Sequence, residues 1–162
     1  MTAPLRVLFV CTGNICRSPT AEAVLRRRLG ADGLDRRVEV DSAGIGDWHV
    51  GEPPDRRARR AAARRGYELE DLRARALARE DFDSFDLIVA MDRGHLAHLE
   101  AEVPAGARAR LALFLDYLEG AGPAARDVPD PYYGGAEGFE RMLDLIEGGA
   151  AGLIAALRRE LP

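Results

Sequence analysis

The chain contains no lysine: all 23 of its basic Lys/Arg positions are arginine. With abundant alanine and glycine, this points to a coding bias toward G and C and to no mechanism. Cysteine is nearly absent too. Cys11 and Cys16 are the whole supply, which offers no disulfide framework and suits a free thiol in a reducing compartment. No apolar run approaches the roughly 20 residues that span a bilayer, and the N-terminus lacks the basic-then-apolar layout of a signal peptide. Neither a membrane segment nor a membrane partner is expected, and the expected location is the cytoplasm. Aromatic residues make up only 6%, with Trp48 the single tryptophan. None interrupts the arginine-rich stretch 56–65, so that stretch is expected to be a solvated helix face and not a nucleic-acid patch.

What remains is an ordinary globular composition, 47% hydrophobic and 31% charged over 162 residues. That length is enough for one core without staples or metals, and a single domain over 1–162 is expected. The formal charge of −4 is unevenly spread, because arginine outnumbers acid in residues 1–75 and acid outnumbers arginine after them.

The informative stretch is Cys11 to Ser18, CTGNICRS, followed by Pro19. Val7, Leu8, Phe9 and Val10 before it form a buried-strand pattern, and the residues after it follow a helical one. A loop between strand and helix can aim several backbone N–H groups at one point, with the positive end of the helix behind them. Five residues between Cys11 and Arg17 let the loop curl around a tetrahedral anion, sulfur beneath and guanidinium beside it. Arg17 can grip two phosphate oxygens, and with the helix end it favours a thiolate at Cys11. Gly13 is expected to supply a positive φ, and Asn14 to tolerate one while hydrogen-bonding within the loop.

CTGNICRSPTAE resembles the signature of the low-molecular-weight protein tyrosine phosphatases. The resemblance implies that Thr12, Gly13, Asn14, Ile15, Cys16 and Ser18 build or support the phosphate loop, and that Ser42, in the Asp-Ser-Ala stretch at 41–43, braces Asn14. It also implies a four-stranded parallel sheet in the order 2-1-3-4. The alternation of strand and helix independently argues for a parallel α/β sheet covered on both faces, with the loop after strand 1 at its carboxyl end. Strands are expected at 38–44, 86–91 and 111–115. Helices are expected from Pro19 to about Leu29, ended by Gly30 to Gly33; from Asp55 to Gly66, packing through Ala58, Ala61 and Ala62; after Asp92; and from about Gly135 to Leu161, weakened by Gly148 and Gly149. His95 and His98, three apart, could share a metal, but no third ligand is suggested nearby and none is expected. No cofactor is expected either.

A phenolate leaving group needs a proton, and Asp130, between two prolines, has its backbone restricted so as to aim its carboxyl. Asp130-Pro131-Tyr132 also matches the family's acid loop, with Asp127 the weaker candidate. Trp48, in a glycine-rich loop, and Tyr132 and Tyr133 are expected to wall a cleft deep enough for a phenol ring. The expected enzyme hydrolyses phosphotyrosine and small aryl phosphates through a cysteinyl phosphate, with phosphotyrosine proteins, a tyrosine kinase among the candidates, as partners and a monomeric or weakly dimeric state. A thiol-dependent arsenate reductase needs cysteines beyond Cys16, and there are none. In related phosphoarginine phosphatases a threonine marks the position of Ile15, so Ile15 points to tyrosine. A silent phosphotyrosine-binding module would lack Cys11 or Asp130. For Cys16 a packing role and a redox role fit equally, and the resemblance implies a reversible disulfide with Cys11 under peroxide.

Overall fold

In the computed structural model, which describes residues 3–120 and 126–162, the Val7–Val10 run lies at the centre of strand β1 (Leu5–Cys11) with no exposed surface. β1 pairs in parallel with β2 (Val38–Gly44) on one side and with β3 (Leu87–Ala90) on the other, and β4 (Arg110–Leu113) completes the sheet beyond β3. The order is β2-β1-β3-β4, as expected. Both faces are covered, which explains why β3 and the Val7–Cys11 stretch of β1 are continuously apolar and not alternating. Val7, Phe9 and Val89 pack under α1 (Arg17–Ala31), α2 (Arg56–Arg64) and α5 (Ala136–Glu160). Leu8, Val10, Ile88 and Ala90 pack against Phe82 and Phe85, in and just after α3 (Asp81–Ser84), and against Leu99 of α4 (Arg93–Glu102). No helix among the described residues is long and apolar enough to cross a membrane.

Local chemistry sets the element ends. Asp55 caps α2 by accepting from the N–H groups of Arg57 at 2.8 Å and Ala58 at 3.4 Å, and Ala58, Ala61 and Ala62 are the buried strip of that helix. Asp92 caps α4 by accepting from His95 N–H at 2.8 Å. α1 runs two residues past Leu29. It ends where Gly33 takes φ 72° and Leu34 N–H returns to the carbonyl of Leu29 at 2.8 Å, a closure that only a left-handed residue permits.

Two expectations are corrected. The last strand stops at Leu113 and does not run to Leu115, because its ladder ends with β3, and Phe114–Tyr117 form a single 3₁₀ turn. That turn drives Phe114 into the core, edge-on to Phe9 with ring centroids 5.2 Å apart. Nor are the glycines of α5 mere weak points. A Cβ on Gly149 would lie 2.8 Å from the Phe114 ring, and one on Gly152 only 1.7 Å from the carbonyl oxygen of Tyr117. The helix is thinned there so that the 3₁₀ turn can lie against it.

Alanine at these glycines should therefore act in opposite senses in different helices. Gly152→Ala gains about 1 kcal/mol of helix propensity but forces a backbone contact, and overpacking costs about 1–3 kcal/mol, so a net loss of thermal stability is expected. Gly30→Ala in α1, where a Cβ meets nothing within 4 Å, should gain about 0.5–1 kcal/mol. Thermal melts of the two variants beside the parent decide it, and a stabilised Gly152→Ala would refute the packing argument.

Candidate active site

Residues 12–16 cross from the carboxyl end of β1 to the start of α1, whose N-cap is Cys16. The carbonyls of Cys11, Thr12 and Ile15 accept from the N–H groups of Ile45, Gly46 and Asp55 at 2.8–2.9 Å. A trans peptide points the next N–H opposite to its carbonyl, so these bonds turn loop amides inward. Asn14 is the one described non-glycine residue with positive φ, 57°. Gly13 does not adopt one. It provides room instead, since a Cβ there would lie 2.9 Å from the His49 ring.

A buried polar chain holds the loop open. Asn14 donates through Nδ2 to Ser18 Oγ at 2.8 Å and to Ser42 Oγ at 2.9 Å, and its Oδ1 accepts from Arg75 N–H at 3.0 Å. Ser42 donates onward to Glu22 Oε1 at 2.6 Å. Burial raises the Glu22 carboxyl above its ordinary range, against the lowering bonds from Ser42 and Arg26. At the other end, Ser18 Oγ lies 2.9 Å from Cys11 Sγ. With Asn14 donating into it, the serine oxygen is left with its proton to direct at the sulfur.

Arg17 is 3% exposed. One terminal nitrogen donates to Asp92 Oδ2 at 2.8 Å and to the carbonyl of Val128 at 3.1 Å; the other reaches Thr12 Oγ1 at 3.3 Å and stands 3.7 Å from Asp130 Oδ2. Its Nε has no protein partner, which leaves one edge of the fork with donor capacity for a ligand. Thr12 Oγ1 also meets His95 Nε2 at 2.8 Å. Burial pushes His95 down to about 4 despite the nearby carboxylate of Asp92. In a neutral ring the Asp92 carboxylate, with Oδ1 3.1 Å from Nδ1 though not aligned for a full hydrogen bond, favours the tautomer protonated at Nδ1, and Nε2 then accepts from Thr12.

Above the loop opens a cleft of about 290 Å³ with Cys11, Gly13, Ile15 and Arg17 at its base and Trp48, His49, Asp130, Tyr132 and Tyr133 around it. Trp48 is 68% and Tyr133 92% exposed, and the two tyrosine rings meet edge to face at 4.9 Å. The two candidate acids separate clearly. Asp127 accepts from the Arg93 side chain and backbone N–H, and those bonds hold its carboxyl below the usual range. Asp130 lines the cleft, accepting from Tyr132 N–H at 3.1 Å with one oxygen while the other stands 3.7 Å from Arg17. Cys16 is buried, and burial, with Asp55 and Cys11 adding to it, raises its thiol well above the ordinary value.

The residues singled out for the loop, its support, the cleft wall and the stronger acid candidate are brought together here; Asp127 is not, and His95 and His98 part: His98 lines a separate hollow with Leu77 and Glu102. Among the described residues no three His, Cys, Asp or Glu side chains are grouped to hold a metal ion. Sequence reasoning missed Asp92 and His95 as site residues. Asp92 had a usable signal, because it follows the carboxyl end of a central strand, as Cys11 does.

The His95 shift sets a stability profile. Above the unfolded value of about 6.5 neither state binds the proton; below it the unfolded chain does while the folded chain resists until about 4. Acidification through that window should therefore remove about 2–3 kcal/mol, and His95→Gln should flatten that part of the profile. Denaturant titrations from pH 7 to 4 give the comparison, and identical slopes for parent and variant would count against a buried neutral ring.

The profile of the family described as low molecular weight phosphotyrosine protein phosphatase matches residues 6–162. A low molecular weight protein-tyrosine-phosphatase of Streptomyces coelicolor is 47% identical over 157 residues, covering 96% of this chain and 95% of its own. Among solved structures, a protein tyrosine phosphatase from Entamoeba histolytica superimposes with a TM-score of 0.89 at 35% identity, covering 96% and 98% of the two chains. The drosophila arginine phosphatase DARP does so with 0.88 at 30% identity, covering 95% and 98%. Profile, sequence and fold agree over nearly the whole length with the thiol loop described above, and the chain belongs to the low molecular weight phosphotyrosine protein phosphatase family.

Proposed function

We propose that the protein hydrolyses phosphotyrosine on protein substrates, and small aryl phosphates, through a cysteinyl phosphate on Cys11. The observation that carries the reading is convergence: Cys11, with its Sγ 2.9 Å from the Ser18 hydroxyl, lines one cleft with Arg17 and with Asp130, whose carboxylate stands 3.7 Å from the Arg17 guanidinium. The Cys11 thiolate attacks phosphorus as the phosphorus–oxygen bond to the aryl group breaks. Arg17 and the loop amides hold the equatorial oxygens, and Asp130 delivers its proton to the departing oxygen. Asp130, now ionised, takes a proton from water as the water attacks phosphorus. The sulfur–phosphorus bond breaks, inorganic phosphate leaves, and Ser18 donates a hydrogen bond to the returning thiolate.

The aromatic rim of Trp48, Tyr132 and Tyr133 fits a phenyl ring and favours phosphotyrosine over phosphoserine. One structural neighbour is an arginine phosphatase; Ile15 at the cleft base argues for tyrosine here. The enzyme acts as a single domain over 1–162, as a monomer or weak dimer, opposing a tyrosine kinase. A free thiol nucleophile suits the reducing cytoplasm.

Cys11→Ser should lower turnover roughly 10³-fold or more while phosphate or vanadate still binds. Asp130→Asn should slow tyrosine phosphate by about 10²-fold or more and an activated aryl phosphate far less. Asp127→Asn, already bound to Arg93, should show no such dependence on leaving group. Steady-state kinetics on both substrates, with a phosphoarginine peptide beside a phosphotyrosine one, test the assignment; multiple turnover by Cys11→Ser would sink it.

Oxidation of Cys11 to a sulfenic acid, trapped by the Cys16 thiol with loss of water, would give a disulfide that dithiothreitol reverses. Peroxide-treated protein should then show a two-hydrogen loss in a peptide joining the two cysteines, and Cys16→Ser should recover poorly. Sulfinic acid at Cys11 with Cys16 still reduced would leave Cys16 a packing residue.

A further inference from the structure

Asp130 can protonate a leaving group only if its carboxyl is held at the right height above the Cys11 sulfur, yet its side chain is 45% exposed and the segment carrying it is irregular. Two attachments hold that segment. Before Asp130, buried Val128 donates its N–H to the Met91 carbonyl at 2.9 Å and accepts from Arg17 at 3.1 Å. After Asp130, the attachment is made by one side chain from another element. Arg57, in the first turn of α2, donates to the carbonyl of Tyr132 at 2.9 Å and, at 3.5 Å, to that of Gly134.

Arg57 is itself fixed. Its Nε and one terminal nitrogen bond the Asp55 carboxylate at 3.2 and 3.1 Å, and its guanidinium lies over the rings of Phe139 at 4.9 Å and Tyr132 at 5.4 Å. The N–H of Asp55 in turn donates to the carbonyl of Ile15, within the thiol loop, at 2.8 Å. A short path of bonds therefore runs from Ile15 through Asp55 and Arg57 to Tyr132, two residues past the acid.

We propose that Arg57 is a positioning residue for the general acid, its guanidinium clamping the carbonyls after Asp130 so that the carboxyl stays in register with the thiol loop. This rests on the reading of Asp130 as the acid. An arginine that served only to cap α2 would need Asp55 alone. The bonds to Tyr132 and Gly134 bring nothing to that cap, and they use the planar fork that lysine lacks. Losing the clamp frees Asp130 to move without touching Cys11, Arg17 or the loop amides, so the loss should fall on proton delivery and not on phosphate binding.

The test compares kcat/KM, which reports the steps through leaving-group departure, for phenyl phosphate and 4-nitrophenyl phosphate. Arg57→Met keeps an apolar stem over Phe139 and removes the donors. It should lower kcat/KM for phenyl phosphate roughly tenfold or more, within the range of general-acid effects, and that for 4-nitrophenyl phosphate about twofold or less. Added to Asp130→Asn, the same change should cost phenyl phosphate less than about twofold, because two changes acting through one group are not additive. Arg57→Lys, which can reach one carbonyl but not both, should fall between and covers the case of a poorly folding methionine variant. Equal losses on both substrates, or a full additional loss on the Asp130→Asn background, would overturn the proposal while Asp130→Asn remained selective. If Asp130→Asn itself showed no leaving-group dependence, the acid assignment would fall and the role of Arg57 with it.

Discussion

A guanidinium taken out of water needs acceptors in place of the water it loses, and the terminal nitrogens of Arg17 find them on three segments, two of them distant in sequence. Asp92 comes from the end of β3, the Val128 carbonyl from the segment leading to Asp130, and Thr12 from the arginine's own loop. Removing any one leaves part of a buried charge uncompensated, which costs far more than a surface pair returns. The same side chain thus also ties the segment that carries Asp130 to the thiol loop. In the proposed mechanism, binding and proton delivery share that anchor.

The polar chain beneath the loop follows a stricter logic, because most of its hydrogen-bond directions follow from the two donors of one amide. Asn14 has two amide protons and spends both, on Ser18 and Ser42, while its carbonyl accepts from a third segment. Ser42 then has its own proton for Glu22, and Ser18 has its proton for Cys11. A buried network satisfied at every member is rigid. Here that rigidity keeps a residue in the left-handed region without glycine and keeps the loop's shape ready before any anion arrives.

Legibility from sequence followed the range of the interactions. Cys11, Arg17 and Ser18 were visible because their chemistry is local, a spacing within one loop. β1 and β3 were visible as apolar runs and α5 by its helical period. Asp92 could be recognised as a helix cap, but not as the partner of Arg17, 75 residues away in the chain. His95 carried no sign in the sequence that its ring would lie against Thr12. The glycines of α5 look like defects unless the 3₁₀ turn that lies on them is known, and Arg57 was one of six arginines on a helix. In each missed case the residue type was ordinary, and only the tertiary neighbour gave it a role.

Trp48 adds a practical property to the cleft. It is the single indole in the chain, it is largely open to water, and it stands at the rim within the same hollow as Cys11 and Arg17. Emission excited at the red edge of indole absorption therefore originates from one position, with no second tryptophan to dilute it. The molecule carries its own optical probe of cleft occupancy, so ligand binding and rim motion can be followed in the unlabelled protein on the timescale of mixing.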